Sequence, residues 1–314
     1  MSKVQRNPHF DDSRVLWRDE YSGQYQPVVY EEQFDDQWRM FLNKERGFRD
    51  HTGVETSDEY IDDRIAEITG VRDFLFKREF GDKAEEVAIS TGRKARAERR
   101  GVGGRLYLEP KFPIDYFEGK SCIDIGCGAG RWTKTLISLG AKVKSIDVGG
   151  SALESTRRFN DDVEQVGLFE IGNKRPDLVN RFDFSLCWGV IMCTHDPKVA
   201  FEKVASTVRP GGALYLMVYA PTYHSGDFVT NARRIYHRER QTKDERIAYL
   251  HELAQGDEDN MINYLDMLNT FYNWVIDEDT IRGWCQANGM SEPVFLNVDE
   301  PHKCGHHVLI KKPA

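Results

Sequence analysis

Short apolar runs alternate with segments of helical spacing in residues 120–220 and in roughly the last 40 residues of the chain. Runs of this length, bounded by turn residues, are typical of buried strands in a parallel sheet. They predict strands over 121–125, 142–147, 164–170, 183–188, 212–219, 292–298 and 306–311. Strands that alternate with helices indicate an α/β fold, here a doubly wound sheet of seven strands with helices on both faces.

Residues 1–110 fall outside this alternation and predict a mainly helical N-terminal extension that packs on the sheet domain or covers its cleft. Apolar positions between 34 and 42 predict one helix, with the acids at 31, 32, 35 and 36 in its first turn. Thr56 and Glu59 predict a capping box that begins a second helix, and Gly70 would end it.

Residues 111–314 form the predicted sheet domain, which is interrupted at 221–275 by a helical insertion before the last helix. Within this insertion, Thr242 and Glu245 predict a second capping box. The insertion leaves the carboxyl end of the fifth strand, and ligands of open α/β sheets bind at that edge. It is therefore predicted to be a lid or part of an acceptor pocket.

A glycine-rich turn follows the first predicted strand. The apolar residues Cys122, Ile123 and Ile125 lead into Gly126, Gly128 and Gly130, and a segment with helical spacing comes next. A strand, a glycine turn and a helix together make a site where backbone can approach a ligand at a helix N-terminus. Asp147 ends the second predicted strand, where its carboxylate can accept both hydroxyls of a ribose.

This arrangement resembles class I S-adenosylmethionine (SAM) dependent methyltransferases. Their first motif is an acid followed by Gly-x-Gly-x-Gly, which corresponds here to Asp124 and residues 126–130, with a second acid at Asp147. A turn at 210–212 before the fifth strand extends the resemblance. The family's fold is Rossmann-like, its cofactor is SAM and its product is S-adenosylhomocysteine (SAH). The dinucleotide fingerprint has its third glycine one residue later, which disfavours a nicotinamide oxidoreductase.

The resemblance implies a set of residues that contact SAM, from the glycine loop and the ends of the first four strands. The expected set is Asp124, Gly126, Cys127, Gly128, Gly130, Asp147, Val148, Phe169, Glu170, Trp188 and Gly189. In the loop after the fourth strand this chain has Met192 and Cys193 where many relatives have two histidines, so roles in that loop do not carry over.

Polar and aromatic residues near the strand ends are the candidates for catalysis and acceptor binding. His195, Tyr219 and His224 are the catalytic candidates, and Tyr223, Tyr272, Asn273, Arg99 and Arg100 are candidates for contact with the acceptor. His195 can serve as a base near neutral pH or can cap the following helix. The arginine-rich run 93–105 is either a solvated face or a docking site for a carboxylate or phosphate.

Composition and charge limit the kinds of binding partner and the cellular location that are expected for this protein. The net charge of −8 and the pI of about 5.7 weigh against nucleic acid. No apolar run approaches membrane-spanning length, and no signal peptide is evident, so a cytoplasmic protein without membrane contact is expected. The six cysteines are expected to be buried, reduced thiols. His302, Cys304, His306 and His307 lack paired zinc-ligand spacing, so no metal is predicted.

The sequence thus predicts an enzyme that transfers a methyl group from SAM to oxygen, nitrogen or sulfur of a small molecule by in-line displacement. Two alternatives stay open, a SAM-dependent enzyme that modifies a tRNA base and a non-catalytic SAM-binding partner subunit. A homodimer is compatible with the sequence, which leaves the oligomeric state open.

Overall fold

The computed structural model describes residues 27–92, 112–221, 227–270, 272–297 and 305–314. Within these residues the strands form one seven-stranded sheet in the order β3-β2-β1-β4-β5-β7-β6. The strands are β1 (Ser121–Ile125), β2 (Lys142–Asp147), β3 (Val163–Gln165), β4 (Phe182–Trp188), β5 (Val208–Tyr219), β6 (Val294–Phe295) and β7 (Gly305–Lys311). The first five strands pair in parallel, and β7 runs antiparallel to both β5 and β6. The predicted doubly wound sheet is confirmed.

Two predicted strands were too long. The region 164–170 holds the three-residue β3 and then a 3₁₀ turn at Leu168–Glu170, where the Glu170 carbonyl accepts bonds from three later backbone amides. In the region 292–298, the described residues 292–297 hold only the two residues of β6. Both strands lie at the edges of the sheet, where only one neighbouring strand holds an apolar run in the extended form.

Twelve helices surround the sheet in the described residues. They are α1 (Pro27–Leu42), α2 (His51–Glu55), α3 (Asp58–Thr69), α4 (Phe74–Phe80), α5 (Ala84–Ser90), α6 (Arg131–Ser138), α7 (Gly150–Thr156), α8 (Pro197–Thr207), α9 (Asp227–Arg234), α10 (Lys243–Ala254), α11 (Glu258–Asn269) and α12 (Glu278–Ala287). None of the helices in this described part is long and apolar enough to cross a membrane.

The helix termini test the predicted caps. Thr242 and Glu245 form the predicted capping box at α10. At α3 the prediction was wrong by one residue, because Ser57 is the N-cap and the Thr56 hydroxyl donates instead to the Thr52 carbonyl. Gly70 ends α3 as predicted. The acids of α1 do not lie in its first turn, because the helix begins earlier, at Pro27.

The sheet carries one apolar core on each face, because side chains alternate along its strands. In β5, Leu214, Leu216 and Val218 join the core beneath α8 and α12. Tyr215, between them, points to the opposite core beneath α3 and α6. Both cores are buried, which places helices on both faces as expected.

A third apolar cluster joins the N-terminal extension to the insertion. Residues of α1, such as Phe41, pack with residues of α9, α10 and α11, such as Leu250 and Leu265. Two parts of the chain that are far apart in sequence therefore form one unit, which we call the cap (α1 with α9–α11). Asp35 fixes the cap to the sheet domain by accepting a hydrogen bond from the amide of Ser151, at 2.8 Å.

A buried ionic cluster joins α3 of the extension to the sheet. The Glu67 carboxylate accepts a hydrogen bond from the Tyr215 hydroxyl at 2.9 Å and lies 2.6 Å from the Arg64 guanidinium. The His307 ring nitrogen is 3.3 Å from the same carboxylate. Burial alone would raise the pKa of Glu67, but Arg64 and His307 outweigh it and lower the pKa to about 2.

Replacing Glu67 by Gln should therefore destabilise the fold. The folded-state pKa lies below the ordinary value of 4.5, so the charged carboxylate stabilises the protein above about pH 4.5 and this contribution is lost as pH falls toward 2. We expect Glu67→Gln to lower the free energy of unfolding by about 3 kcal/mol at pH 7. Urea unfolding at pH 7 and at pH 4 measures it, with the exposed Glu85→Gln in α5 as control. A difference from wild type that does not shrink at the lower pH would contradict this account.

Candidate functional site

A cavity of about 310 Å³ lies at the carboxyl ends of β1, β2, β4 and β5, beneath the cap. From the sheet domain its wall takes Asp124, Ile125, Gly126, Cys127, Gly128, Arg131, Trp132, Asp147, Val148, Val166, Leu168, Trp188, Gly189, Val190, Cys193, Thr194, Met217 and Tyr219. From the extension and the insertion it takes Phe34, Gln37, Trp38, Glu55 and Asp266. Residues of the N-terminal extension and of the insertion therefore line this cavity together with the sheet domain.

The glycine loop forms one wall of this cavity. Gly128 has a φ of +54°, and a Cβ there would lie 2.6 Å from the Trp38 ring of α1. Gly126, with a φ of +72°, would likewise collide with Val190. Glycine is therefore required at both positions, by backbone conformation and by close packing. Gly130 lies outside the cavity wall and is the N-cap residue of α6.

The Asp147 carboxylate organises the turn around it. Its two oxygens accept hydrogen bonds from the amides of Gly128 and Gly149, each at 2.9 Å. Burial raises its pKa, although these amide bonds oppose the rise. Each carboxylate oxygen has a second lone pair, so Asp147 can still accept from a ligand hydroxyl in the cavity.

Asp124 lies at the end of β1 and is almost fully buried. Its carboxylate accepts a hydrogen bond from the Thr133 hydroxyl at 2.8 Å. Burial raises its pKa to about 7, while the Thr133 hydrogen bond and Arg131 act in the opposite direction. This group therefore changes charge near neutral pH, at the centre of the site.

An apolar part of the wall lies beside Asp147. Val148, Val166 and Leu168 line the cavity there. Phe169 and Glu170, expected to contact the adenine, are not in the wall, because the chain leaves the strand in a 3₁₀ turn. Val166 and Leu168 replace them at this position, and the sequence pattern gave no signal for the turn.

An ion pair inside the cavity joins the extension to the glycine loop. The guanidinium of Arg131, the first residue of α6, donates to the Glu55 carboxylate at 2.7 Å. The same guanidinium lies 4.4 Å from the ring centre of Trp188. Burial disfavours the charge on Glu55, but Arg131 and His51 outweigh it, so the pKa of Glu55 is lowered. Both groups are therefore charged at neutral pH. Sequence reasoning missed both, since neither belongs to the quoted motif.

The cap contributes one carboxyl group to the described cavity wall, that of Asp266. Asp266 of α11 accepts a hydrogen bond from Gln37 Nε2 at 3.4 Å. Cys193 and Tyr219, from the loop after β4 and the end of β5, line the cavity as well. Burial raises the pKa of the Cys193 thiol to about 12, with the nearby Asp266 adding to the rise. Asp266, Cys193 and Tyr219 thus come together, although only Tyr219 was predicted to be functional.

The remaining candidates lie elsewhere. The His195 ring packs on Phe169 with ring centres 4.3 Å apart, outside the cavity wall, and Asp196 rather than His195 caps α8. Tyr272 and Asn273 are buried outside the wall, and the Tyr272 ring stacks on Trp274. Arg99, Arg100, Tyr223 and His224 lie outside the described residues, as does the whole of the run 93–105.

The described cysteines and the described histidines near the C-terminus are buried. The five described cysteines, at 122, 127, 187, 193 and 285, are buried and free of disulfides, as expected. His307 shares a hydrogen bond with the Tyr215 hydroxyl at 2.9 Å, and His306 packs on Phe295. His302 and Cys304 lie outside the described residues.

Comparison with known proteins gives curated relatives that are named as O-methyltransferases. A curated relative is a ubiquinone biosynthesis O-methyltransferase of Paraburkholderia phymatum, 30% identical over 32% of this chain and 44% of that protein. Another, of Coxiella burnetii, is 22% identical over 53% of this chain and 72% of that protein. The first relatives are thus matched over less than half of their own length.

Solved structures give weaker likenesses. A SAM-dependent methyltransferase of Mesorhizobium loti is 17% identical, with a TM-score of 0.43, over 62% of this chain and 92% of that one. A 1,6-didemethyltoxoflavin N1-methyltransferase of Burkholderia thailandensis is 13% identical, with a TM-score of 0.39, over 63% of this chain and 72% of that one.

The family model described as a methyltransferase domain matches residues 97–291, which is more than half of the chain. This range includes the glycine loop and Asp147 and most of the residues of the cavity wall. The chain therefore belongs to the class I SAM-dependent methyltransferase family.

Proposed function

We propose that this protein transfers the methyl group of SAM to a small molecule that is enclosed in the cavity beneath the cap. The observation that carries the proposal is the position of Asp147 and the glycine loop, which form one wall of a cavity that the cap covers. The curated relatives are named as O-methyltransferases, which supports oxygen as one possible acceptor atom.

The residues of the cavity fit SAM in three respects. Asp147 keeps acceptor capacity for ribose hydroxyls, and Val148, Val166 and Leu168 offer an apolar surface for an adenine. Gly189 has a φ of +80°, and none of the side-chain or backbone atoms of the described residues lies within 4 Å of the place where its Cβ would be. The backbone at the end of β4 therefore leaves room for the methionine part of the cofactor.

SAM supplies a methyl group on a positively charged sulfur, which makes sulfur a good leaving group. The residues of the chain then have mainly to hold the acceptor in line and to exclude water, and such positioning can contribute roughly 7–11 kcal/mol. Phe34 and Trp38 of α1 place apolar surface over the cavity and keep water out.

The cap also supports a small acceptor rather than a tRNA base. Its helices α1 and α11 both contribute to the wall, so the acceptor end is enclosed by protein on the side away from the sheet. The cap is built on an apolar cluster of its own, which stabilises this enclosure. A polymer would need a channel to reach the methyl group, whereas a small molecule needs only an opening of the cap.

Asp147→Ala should slow methyl transfer at subsaturating SAM by removing the carboxylate that would bind the ribose. Hydrogen bonds to a charged group contribute about 1.5–3 kcal/mol, so SAH affinity should fall by about 10- to 100-fold. Calorimetric titration with SAH measures the affinity, and methyl-labelled SAM with a metabolite extract measures transfer by mass spectrometry. Asp162→Ala is the control, because that carboxylate pairs with Lys144 at the surface. Unchanged SAH affinity in Asp147→Ala, or no labelled product with wild type, would count against the proposal.

Gly128→Ala should weaken SAH binding and lower the melting temperature more than Gly256→Ala does. Both glycines have a positive φ, but a methyl group at 128 would collide with Trp38, whereas none of the described atoms lies within 4 Å at 256. The backbone cost is common to both, at about 1–2 kcal/mol, and only Gly128→Ala displaces α1. Thermal unfolding and tryptophan fluorescence measure the difference. Equal effects of the two substitutions would show that α1 does not pack on the glycine loop.

A further inference from the structure

Asp266 is the one cavity carboxyl that comes from the insertion, and no sequence motif points to it. Much of its surface is accessible to solvent-sized molecules, and yet the surrounding protein desolvates the carboxyl and raises its pKa. Both facts hold together because the exposed part of the carboxyl faces the cavity, which protein encloses, rather than bulk water. Asp266 is thus accessible to a bound ligand and poorly solvated when the cavity is closed.

The other carboxylates of the described cavity wall are already engaged. Asp147 accepts two backbone amides, Asp124 accepts the Thr133 hydroxyl and Glu55 is paired with Arg131. The hydrogen bond that Asp266 accepts from Gln37 is long, at 3.4 Å. Asp266 is therefore the carboxylate with the most capacity for a new hydrogen bond in the cavity.

The position of Asp266 is at the acceptor end. Cys193, in the loop after β4, lies close enough to Asp266 for that carboxyl to raise the pKa of its thiol, and Tyr219 at the end of β5 lines the same cavity. Asp147 and the apolar surface for adenine belong instead to the ends of β2 and β3. An acceptor between the glycine loop and the cap would therefore contact Asp266.

The charge of the cavity selects the chemical class of the acceptor. Its described wall holds four carboxyl groups, at Glu55, Asp124, Asp147 and Asp266, and one guanidinium, at Arg131. Such a site repels an anion, attracts a positively charged molecule and accommodates a neutral one that can donate a proton. Aromatic rings of Phe34, Trp38 and Tyr219 in the same wall favour a ring-sized acceptor.

We propose that Asp266 is the proton-accepting residue for an acceptor that attacks through a hydroxyl or an amine. The proposal rests on the proposed methyltransferase function and names the acceptor class for that same site. The acceptor's oxygen or nitrogen forms a bond to the methyl carbon as the carbon–sulfur bond breaks. The electron pair of that bond stays on sulfur, which leaves as the thioether of SAH, and the proton passes to Asp266.

The surroundings of Asp266 determine the pH dependence. Burial raises its pKa most, the nearby Glu55 carboxylate adds to the rise, and Arg131, Gln37 and His51 oppose it. Only the deprotonated carboxylate can accept a proton. The rate should therefore fall as pH drops through this raised pKa, above the ordinary value of 3.8.

Asp266→Asn tests the proposal, since an amide keeps the size of the side chain but cannot accept the proton. Glu258→Gln is the matched control, because it removes an exposed carboxylate from the first turn of the same helix. The acceptor probes are catechol, benzylamine and benzoate, which are similar in size and differ in charge and in proton donation. We would measure SAH binding, probe binding to SAH-loaded protein, and SAH release from SAM across pH 5–9.

The proposal expects unchanged SAH affinity in both variants and binding of catechol or benzylamine in preference to benzoate. Asp266→Asn should slow transfer by about 100-fold or more and reduce the acidic limb of the pH profile to the part that Asp124 sets near pH 7, whereas Glu258→Gln should do neither. Equal transfer in Asp266→Asn, a preference for benzoate, or no transfer to catechol and benzylamine by wild type that binds SAH would overturn it. Failure of wild type to bind SAH would instead overturn the proposed function.

Discussion

The enclosed site depends on the buried ion pair between Glu55 and Arg131. Arg131 follows the glycine loop directly, and Glu55 ends the short helix α2 of the N-terminal extension, so their contact fixes the extension against the loop. Removing one partner of such a pair leaves an uncompensated buried charge, which is strongly unfavourable. The pair also holds the guanidinium over Trp188 at the end of β4. One interaction thus joins the cofactor loop, the extension and the fourth strand.

The cap completes the enclosure by joining parts of the chain that are distant in sequence. Gln37 of α1 bonds to Asp266 and accepts from Asn269, both in α11. Arg233 is fully buried and donates to carbonyls at the C-terminal end of α11, at Met267, Leu268 and Thr270. Carbonyls in the last turn of a helix have no partner within the helix, so this arginine stabilises the helix that carries Asp266.

The part of the site that follows from local geometry could be predicted from the sequence. The glycine loop, Asp124 and Asp147 lie at the ends of strands. Where a strand ends can be predicted from the residues next to it in the sequence. Glu55 and Asp266 could not be predicted, because their position in the cavity depends on contacts between helices more than a hundred residues apart. The N-cap residue of helix α3 is a second, more local example of a feature that the sequence pattern did not predict. Thr56 and Ser57 are both good N-cap residues, but the Thr56 hydroxyl donates to the Thr52 carbonyl of α2, and Ser57 caps α3.

Hydrogen–deuterium exchange with and without SAH tests most directly whether the cavity beneath the cap is the cofactor site. SAH should slow exchange at the glycine loop, residues 126–130, and at the end of β2. It should also slow exchange in α1 and α11, which are distant from that loop in the sequence and line the same cavity. Protection of the loop without protection of either cap helix would contradict the enclosed site. Protection confined to other parts of the chain would contradict the assignment of the cavity itself.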